Sequence, residues 1–300
     1  MKTLVLANQK GGVGKSAVAT LLAHYLRQQG QRVLAIDLDH QANFSQPLRL
    51  SRRATLAGFG ADRLLTEPSA ALPAADFVLV PGDPRLLMLE RQPDKHNAFA
   101  TNLHRYLPAV APRFDVCVID TNPNPDIRVI AALASADFVL SPIQLNQEAM
   151  DGVGGLLNHD RVGVRKIKAL LNPKLQLIGL LPVMVEPTPF QKANFVQIVE
   201  QYHPLLIRVG DGPGNFASIP RRSAIAEAQA RQSLAAFADY LRAHRDEIAA
   251  LSFFYQQPYQ RRALTIDMIE ELHERLGKPP LMLTTERLWS AYARVQANQV

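Results

Sequence analysis

The 300-residue sequence predicts a doubly wound α/β fold, in which helices flank a mostly parallel β-sheet. Three observations lead to this prediction. Short runs of Val, Leu and Ile recur without apolar–polar alternation, as in strands that are buried on both faces. Stretches with the apolar spacing of helices lie between these runs. Hydrophobic residues make up 47% of the sequence, which is enough for a sizeable core.

Six apolar runs are the predicted strands, and each is bounded by turn residues. They cover residues 3–7, 32–39, 76–80, 115–120, 137–143 and 177–185. Helices are predicted between them, over residues 15–29, 127–136 and 147–157. The first helix is expected to end at Gly30, whereas three glycines weaken the prediction of the third helix.

The longest helical pattern covers residues 219–251, with Ser223 as a candidate N-cap. Two further helical segments are predicted, around residues 264–276 and 284–297. We place a domain boundary near residues 252–260. It divides the chain into a main domain, residues 1–251, and a C-terminal helical extension, residues 252–300. The extension could pack on the main domain or serve in self-association.

The composition excludes several classes of protein. A single cysteine, Cys117, rules out a disulfide framework within the chain and a Cys-cluster metal site. Its apolar neighbours predict a buried side chain. No apolar run reaches the ~18 residues that a membrane-spanning helix requires. The sequence begins with too short an apolar stretch for a signal peptide, so we expect a cytoplasmic protein.

The formal net charge is +6, which permits an anionic partner. Four bases and no acid fall within residues 161–168, namely Arg161, Arg165, Lys166 and Lys168. Such a run is either a solvated helix face or a patch that contacts nucleic-acid phosphates.

Residues 10–16, KGGVGKS, follow a predicted strand and precede a predicted helix, as a phosphate-binding loop requires. The three glycines allow a tight turn whose N–H groups, together with the helix N-terminus, bind anionic oxygens. Lys15 is expected to contact the β- and γ-phosphates of a nucleotide, and Ser16 to offer its hydroxyl to Mg²⁺. Gln9 stands where the usual pattern has its first glycine, so the loop is a variant. The predicted nucleotide-binding residues here are Lys10, Gly11, Gly12, Val13, Gly14, Lys15, Ser16 and Ala17.

A second lysine, Lys10, stands at the mouth of this loop, five residues before Lys15. A cation there points away from the helix that follows the loop. We hypothesise that two copies of the chain face each other across their nucleotides. Lys10 would then neutralise charge on the partner's phosphates during hydrolysis, in the manner of an arginine finger.

Two acids follow strands whose carboxyl ends should lie near the loop. Asp39, which alternates with Asp37, is suited to orient a water molecule or to bond a magnesium-bound water, although either acid could simply cap a loop. Asp120 closes the apolar run DVCVID, the Walker-B arrangement that holds Mg²⁺ through water. Thr121 is a candidate sensor of the γ-phosphate. The predicted catalytic residues are Lys10, Lys15 and Asp39, and the predicted metal site comprises Ser16, Asp39 and Asp120.

Five segments together resemble the ParA/MinD superfamily of deviant Walker-A ATPases, and within it the ParA partition ATPases. They are KGGVGKS, VLAIDLDHQANF, FDVCVIDTNPNPD, ADFVLSPI and IPRRSAIAEAQ. The resemblance covers roughly residues 1–245. It implies ATP and Mg²⁺ as ligands, an ATP-dependent homodimer, slow hydrolysis, non-specific binding of DNA and a ParB-like centromere-binding protein that stimulates hydrolysis. It also makes Lys10 the signature lysine and Asp39 the catalytic aspartate, and it implies nucleobase contacts near Ile219 and Pro220.

The sequence departs from this family pattern in two loops. His40, Gln41, Ala42 and Asn43 stand where Pro-Gln-Gly-Asn is usual. In the second loop, Asn122 follows Asp120 and Thr121 where a proline is usual. These departures bear on switch behaviour and hydrolysis rate rather than on nucleotide binding.

A partition function predicts that DNA is held through its phosphates, so that binding weakens with salt. The candidate bases are Arg161, Arg165, Lys166, Lys168, Arg221 and Arg222, the last two of which could instead face the dimer or the nucleotide. The alternative is a MinD-like positioning ATPase that works on a membrane. Its amphipathic helix would have to be residues 285–300, where only Arg287 and Arg294 are basic, which favours core packing instead. A nitrogenase-reductase-like protein would need two cysteines and a tyrosine kinase of this superfamily a tyrosine cluster, and the sequence offers neither.

Overall fold

A computed structural model describes residues 1–67, 69–209 and 215–221, and every structural statement below concerns these ranges. Several predictions therefore lie outside the described residues. They are the DNA contact of Arg222, the N-cap Ser223, the rest of the helix expected up to residue 251, the boundary near residues 252–260 and the extension 252–300.

The described part of the chain contains one eight-stranded sheet in which every strand pairing is parallel. The strands are β1 Lys2–Leu6, β2 Val33–Asp37, β3 Thr55–Leu56, β4 Phe77–Val80, β5 Val116–Asp120, β6 Phe138–Gln144, β7 Gln176–Val185 and β8 Ile219–Pro220. Their order across the sheet is β3-β4-β2-β5-β1-β6-β7-β8. The predicted fold class is confirmed, including all six predicted strands.

Helices connect the strands, as parallel pairing requires. In the described part they are α1 Lys15–Gln28, α2 Ser45–Ser51, α3 Asp62–Thr66, α4 Leu86–Leu89, α5 His96–Val110, α6 Ile127–Ser135, α7 Ala149–Asn158, α8 Val164–Leu170 and α9 Pro189–Tyr202. Short 3₁₀ turns cover Pro93–Lys95, Ala111–Arg113 and His203–Leu205. The three predicted helices are α1, α6 and α7, so the glycines of α7 do not prevent its formation.

Local sequence explains where several helices begin and end. The side chain of Asp126 accepts a hydrogen bond from the backbone N–H of Arg128 and so caps α6. Thr188 caps α9 in the same way, with Pro189 in the first turn. Gly30 adopts a left-handed φ of 81° just beyond α1, which confirms it as the predicted stop.

Two short strands were missed or misassigned from the sequence. Thr55–Leu56 is too short to show a pattern. Ile219–Pro220 was expected to begin a helix, and this prediction is wrong because both residues pair with β7. The reason is physical: a residue before proline is driven to extended backbone, and the Ile219 side chain is buried in the core.

The hydrophobic core lies on both faces of the sheet. Successive residues of one strand point to opposite faces, so that Val5 belongs to one apolar cluster and Leu4 and Leu6 to the other. Cys117 is fully buried, which confirms the sequence prediction, and burial raises the pKa of its thiol. No helix among the described residues is both long and apolar enough to cross a bilayer.

The sheet positions the candidate site through its register. Asp120 at the end of β5 is paired with Leu6 on one side and with Asp37 on the other. The phosphate-binding loop leaves β1 directly after Leu6. The predicted acids therefore meet the loop at the carboxyl edge of the central strands, which is where such sheets bind ligands.

Candidate nucleotide-binding site

The loop between β1 and α1 turns on two glycines in left-handed backbone conformations. Gly12 has a φ of 75° and Gly14 a φ of 80°, where a side chain would be strained. Gly14 is also the N-cap of α1, and no side chain caps this helix. The first backbone N–H groups of α1 are thus left for another acceptor, and a phosphate suits them in charge and direction.

The other predicted loop residues differ in what they can offer. Gly11 and Gly12 are exposed, and Ser16 and Ala17 are half-buried at the start of α1. Val13 is 2% exposed, so only its backbone could contact a bound phosphate.

Lys15 is buried, and its ammonium group donates to the carbonyl oxygen of Lys10 at 3.3 Å. Burial lowers the pKa of Lys15, while the charges of Asp120 and Asp39 act in the opposite direction. The charges of Lys15, Asp39 and Asp120 thus lie close enough together to affect one another.

Of the three predicted metal-site residues, Ser16, Asp39 and Asp120, the first and last are joined by a hydrogen bond. The Ser16 hydroxyl donates to Asp120 Oδ2 at 2.6 Å. The other carboxylate oxygen, Asp120 Oδ1, is buried and has no hydrogen-bond partner among the described residues. Burial raises the pKa of Asp120 well above its ordinary value, and the charge of Asp37 adds to this effect.

A hard divalent cation fits this arrangement. Mg²⁺ would supply the positive charge that a buried carboxylate lacks, and oxygen donors are what it prefers. The described residues contain no group of three or more His, Cys, Asp or Glu side chains that could hold a metal. Mg²⁺ bound here would therefore take its remaining ligands from nucleotide phosphates and water, as is usual at phosphate-binding loops.

Asp37 has a structural role. Its Oδ2 accepts from both the N–H (2.8 Å) and the hydroxyl (2.7 Å) of Ser45, and its Oδ1 accepts from the N–H of Asp39 (3.0 Å). Burial, opposed by these hydrogen bonds, raises the pKa of Asp37 to about 6. Its carboxylate therefore fixes the loop after β2.

Asp39 is held by its own loop. Its Oδ1 accepts from the N–H of Gln41 at 3.0 Å and lies 3.2 Å from Nδ1 of His40. Ala42, where the family pattern given above has glycine, has a φ of 56° and is therefore strained by roughly 1–2 kcal/mol.

Gly82, which sequence reasoning missed, packs beneath the Asp39 loop. A Cβ atom at this glycine would lie 2.3 Å from the backbone oxygen of Asp39 and 3.2 Å from the Ala42 Cα. Only glycine allows this approach. Its position directly after the β4 strand run, in VPGDP, was the available signal.

Lys10 is bound to its own chain in this structure. Its ammonium group donates to Asn146 Oδ1 at 3.1 Å and forms an ion pair with Glu148 Oε2. Its backbone N–H donates to Asn8 Oδ1 at 2.8 Å. Sequence reasoning missed Asn146 and Glu148, which lie between β6 and α7 with no motif to mark them. Whether Lys10 crosses to a second chain stays a prediction.

The loop is also tied to α7. Gln9 donates to the Gly155 carbonyl at 2.9 Å, and a Cβ at Gly155 would come within 2.8 Å of Gln9 Oε1. Asn8 donates to the carbonyl of Pro142 and to the Ser141 hydroxyl. The glycine that weakened the helix prediction thus makes room for Gln9, the residue that replaces the usual first glycine of the motif.

The candidate γ-phosphate sensor, Thr121, is buried at the end of β5, and its role as a sensor stays a prediction. It is 1% exposed, and its hydroxyl donates to the carbonyl of Leu6 at 2.8 Å. Thr121 therefore joins β5 to β1 at the end of the sheet.

The residues predicted to contact the nucleobase, Ile219 and Pro220, pair with β7, a strand that contacts the phosphate-binding loop. Ile219 pairs with Val183, whose side chain would contact a Cβ at Gly14 at 3.4 Å. Ile219 is buried and Pro220 half-buried. Arg221 forms an ion pair with Glu186 at 3.3 Å.

The candidate DNA-binding bases of residues 161–168 are exposed on and before α8. Arg161 forms an ion pair with Glu90 at 2.7 Å, and Arg165 donates to Asn158 at 3.0 Å. Among the described residues, Lys166 and Lys168 have no ion-pair partner. These two lysines are the freest cations of the run.

Known proteins resemble this chain in sequence and in fold. Residues 1–177 match a family described as AAA domain, AAA_31, and residues 231–300 match one described as EcoEI R protein C-terminal. Protein IncC of Escherichia coli is 34% identical over 245 residues, which are 77% of this chain and 62% of IncC. The chain thus spans less than two thirds of that relative. The chromosome-partitioning ATPase Soj of Thermus thermophilus is 35% identical over 189 residues, 62% of this chain and 70% of Soj.

A similar solved structure is the cobyrinic acid a,c-diamide synthase of Mycobacterium smegmatis with bound ADP and magnesium. It is 26% identical, covers 88% of this chain and 99% of its own, and has a TM-score of 0.66. The similarity therefore extends over most of the chain.

Proposed function

The chain belongs to the ParA/MinD family of deviant Walker-A ATPases, and on this premise we propose that it hydrolyses ATP to partition DNA. The cargo would be a plasmid, an integrated element or a chromosome. The observation that carries the proposal is the meeting of Lys15, Ser16 and Asp120 at one sheet edge, beside a helix N-terminus that no side chain caps.

The chain's own residues have distinct tasks in this proposal. The loop N–H groups and Lys15 bind the β- and γ-phosphates, and Asp39 orients the attacking water. Ser16 and Asp120 hold Mg²⁺, which neutralises charge on the phosphate oxygens when bound. Burial of Lys15 strengthens its attraction to phosphate, because less water screens the charge.

Lys10 acts in a homodimer that forms on ATP. For Lys10 to reach the partner's phosphates, its ammonium group must leave Asn146 and Glu148 of its own chain. The triphosphate of ATP bound to a facing protomer carries more negative charge than one exposed carboxylate. This difference favours the movement of Lys10 from Glu148 to the partner's phosphates. Hydrolysis is then slow in the free protein and is stimulated by a ParB-like partner.

The ATP-bound dimer binds DNA without sequence preference, in the cytoplasm on the nucleoid. Of the candidate bases in residues 161–168, Lys166 and Lys168 are the best suited to contact phosphates, since both are exposed and neither has an ion-pair partner within the described ranges. Arg161 and Arg165 would first have to leave Glu90 and Asn158.

The test is ATP turnover and DNA retention, measured with and without non-specific DNA across a salt series. We expect slow turnover that needs Lys15, and DNA retention that needs ATP and weakens steeply with salt. In the double variant Lys166→Ala/Lys168→Ala, the slope of log affinity against log salt should fall by about 1–2, whereas Lys95→Ala, at another exposed lysine, should keep the slope. ATP turnover without DNA retention, together with flotation on liposomes, would replace this proposal with the MinD-like membrane function.

A further inference from the structure

One ring nitrogen of His40, Nδ1, lies between the carboxylate of Asp39 and the buried guanidinium group of Arg128. It is 3.2 Å from Asp39 Oδ1 and 3.3 Å from Arg128 Nη1. Asp39 belongs to the loop after β2, and Arg128 belongs to the first turn of α6, which follows the Walker-B loop. His40 therefore connects the two loops that flank the candidate site.

The chemistry of Nδ1 makes these two contacts exclusive. With a hydrogen on Nδ1, the ring donates to Asp39 and offers nothing to Arg128. With a lone pair on Nδ1, the ring accepts from Arg128 and turns that lone pair towards the carboxylate of Asp39. Each tautomer thus forms a hydrogen bond with one of the two neighbours and leaves the other without a hydrogen bond to the ring.

Arg128 is held firmly on its other side. Only 2% of its side chain is exposed, and its Nε lies 3.1 and 3.0 Å from the two carboxylate oxygens of Asp126, with a further bond from Nη2. Asn122 of the Walker-B loop donates to the same carboxylate at 2.9 Å. A buried ion pair is weak evidence for net stability, but this one holds the Arg128 side chain beside His40.

The network thus runs from Asp39 through His40, Arg128 and Asp126 to Asn122. Both ends of the connection use residues at which the sequence departs from the family pattern, His40 in the first loop and Asn122 in the second. Proline at either position has no side-chain donor or acceptor to join such a network.

We propose that His40 and Arg128 are positioning residues that couple the Asp39 loop to the Walker-B loop through the two alternative hydrogen bonds of His40 Nδ1. Movement of one loop shifts the hydrogen on the ring and changes the support of the other loop. The consequence for hydrolysis depends on the proposed ATPase function, whereas the coupling itself does not.

The first test reads the ring directly, without nucleotide. The ¹⁵N signals of the His40 imidazole are recorded at one fixed pH of about 8.5, above the pKa of a free imidazole. In Arg128→Met only Asp39 remains, and the hydrogen should move to Nδ1. In Asp39→Ala only Arg128 remains, and the hydrogen should move to Nε2. Arg105→Met, at an exposed arginine of α5, is the control. The same tautomer in both variants would overturn the proposal.

The second test measures coupling between the loops by amide hydrogen exchange. His40→Ala and Arg128→Met should each speed exchange in residues 38–43 and in residues 121–126. The double variant should add little to either single change. His104→Ala, at an exposed histidine, should leave both loops as they are. Faster exchange confined to the mutated loop would contradict the coupling.

The third test separates positioning from binding. In His40→Ala, kcat for ATP should fall about tenfold while KM stays within about twofold. His40→Asn, which returns one polar group near Nδ1, should recover part of the loss. If the wild-type protein did not hydrolyse ATP, the proposed function would fail, while the ring signals would still report the coupling between the two loops. If it hydrolysed ATP and the ring signals were unresponsive, the link alone would fail.

Discussion

The ammonium group of Lys10 is paired with Glu148 of the same chain, at the entrance to the phosphate-binding loop. The side chain of Glu148 is 73% exposed, so the pair is accessible to solvent and to an incoming protomer. A hydrogen bond from Lys10 lowers the pKa of Glu148, so the carboxylate stays charged at neutral pH. The proposed dimerisation through Lys10 would therefore compete with this internal pair.

Removing the charge of Glu148 should favour the dimer. In Glu148→Gln, the ATP-dependent dimer should form at protein concentrations up to about fivefold lower, because an exposed ion pair contributes at most about 1 kcal/mol. Analytical ultracentrifugation with a non-hydrolysable ATP analogue measures this. Glu200→Gln, at another exposed glutamate, should leave the dimerisation constant unchanged. An equal constant in Glu148→Gln and wild type would show that the pair does not restrain Lys10.

Removing Lys10 itself should separate binding from hydrolysis. Lys10→Ala should abolish ATP-dependent dimerisation or turnover, because the partner's phosphates lose a cation in the transition state. Nucleotide binding by the single chain should persist, since Lys15 and the loop backbone remain. Fluorescent nucleotide titration and a turnover assay read the two effects. Wild-type turnover in this variant would rule out a catalytic role for Lys10.

The buried carboxylate of Asp120 should lower the stability of the nucleotide-free protein, although it is needed to bind the metal. Its raised pKa means that the folded chain resists the charged form, so its contribution to stability falls as pH rises above the ordinary carboxyl value of 3.8. Asp120→Asn should therefore raise the melting temperature of the nucleotide-free protein by a few degrees at pH 7. The gain should shrink as pH falls towards 4.

The same Asp120→Asn variant should lose Mg²⁺-dependent nucleotide affinity, which calorimetry measures. Asp94→Asn, at an exposed aspartate, should change neither the melting temperature nor the affinity. A destabilised Asp120→Asn protein at pH 7 would contradict the assignment of Asp120 Oδ1 as an unsatisfied buried oxygen.

The close approach of Gly82 to the Asp39 loop should be sensitive to one methyl group. Gly82→Ala places a Cβ against backbone atoms that cannot turn aside, so the free energy of unfolding should fall by about 1–3 kcal/mol. The turnover rate should fall too, because Asp39 moves. Urea denaturation and the turnover assay test both effects. Gly58→Ala, where nothing lies within 4 Å of the added Cβ, is the matched control. Equal unfolding midpoints in the two variants would argue against a tight contact at Gly82.

The sequence alone was sufficient for the parts of the site that rest on local chemistry. Gly12 and Gly14 could be recognised because the turn demands backbone that other residues avoid, and Asp120 because it closes a buried strand. The parallel sheet followed from strand runs that are apolar on both faces. Even the meeting of Ser16 with Asp120, 104 residues apart, could be expected from the rule that carboxyl ends share an edge.

Only the tertiary structure decided which partner each polar side chain takes. Glu148 carries no motif, yet it pairs with Lys10 across 138 residues. Ile219 and Pro220 carry a helical context, yet they join the sheet because β7 offers a free edge and the core accepts the Ile219 side chain. Local chemistry depends on adjacent residues, whereas hydrogen-bond partners and sheet edges depend on where distant segments lie in the folded chain.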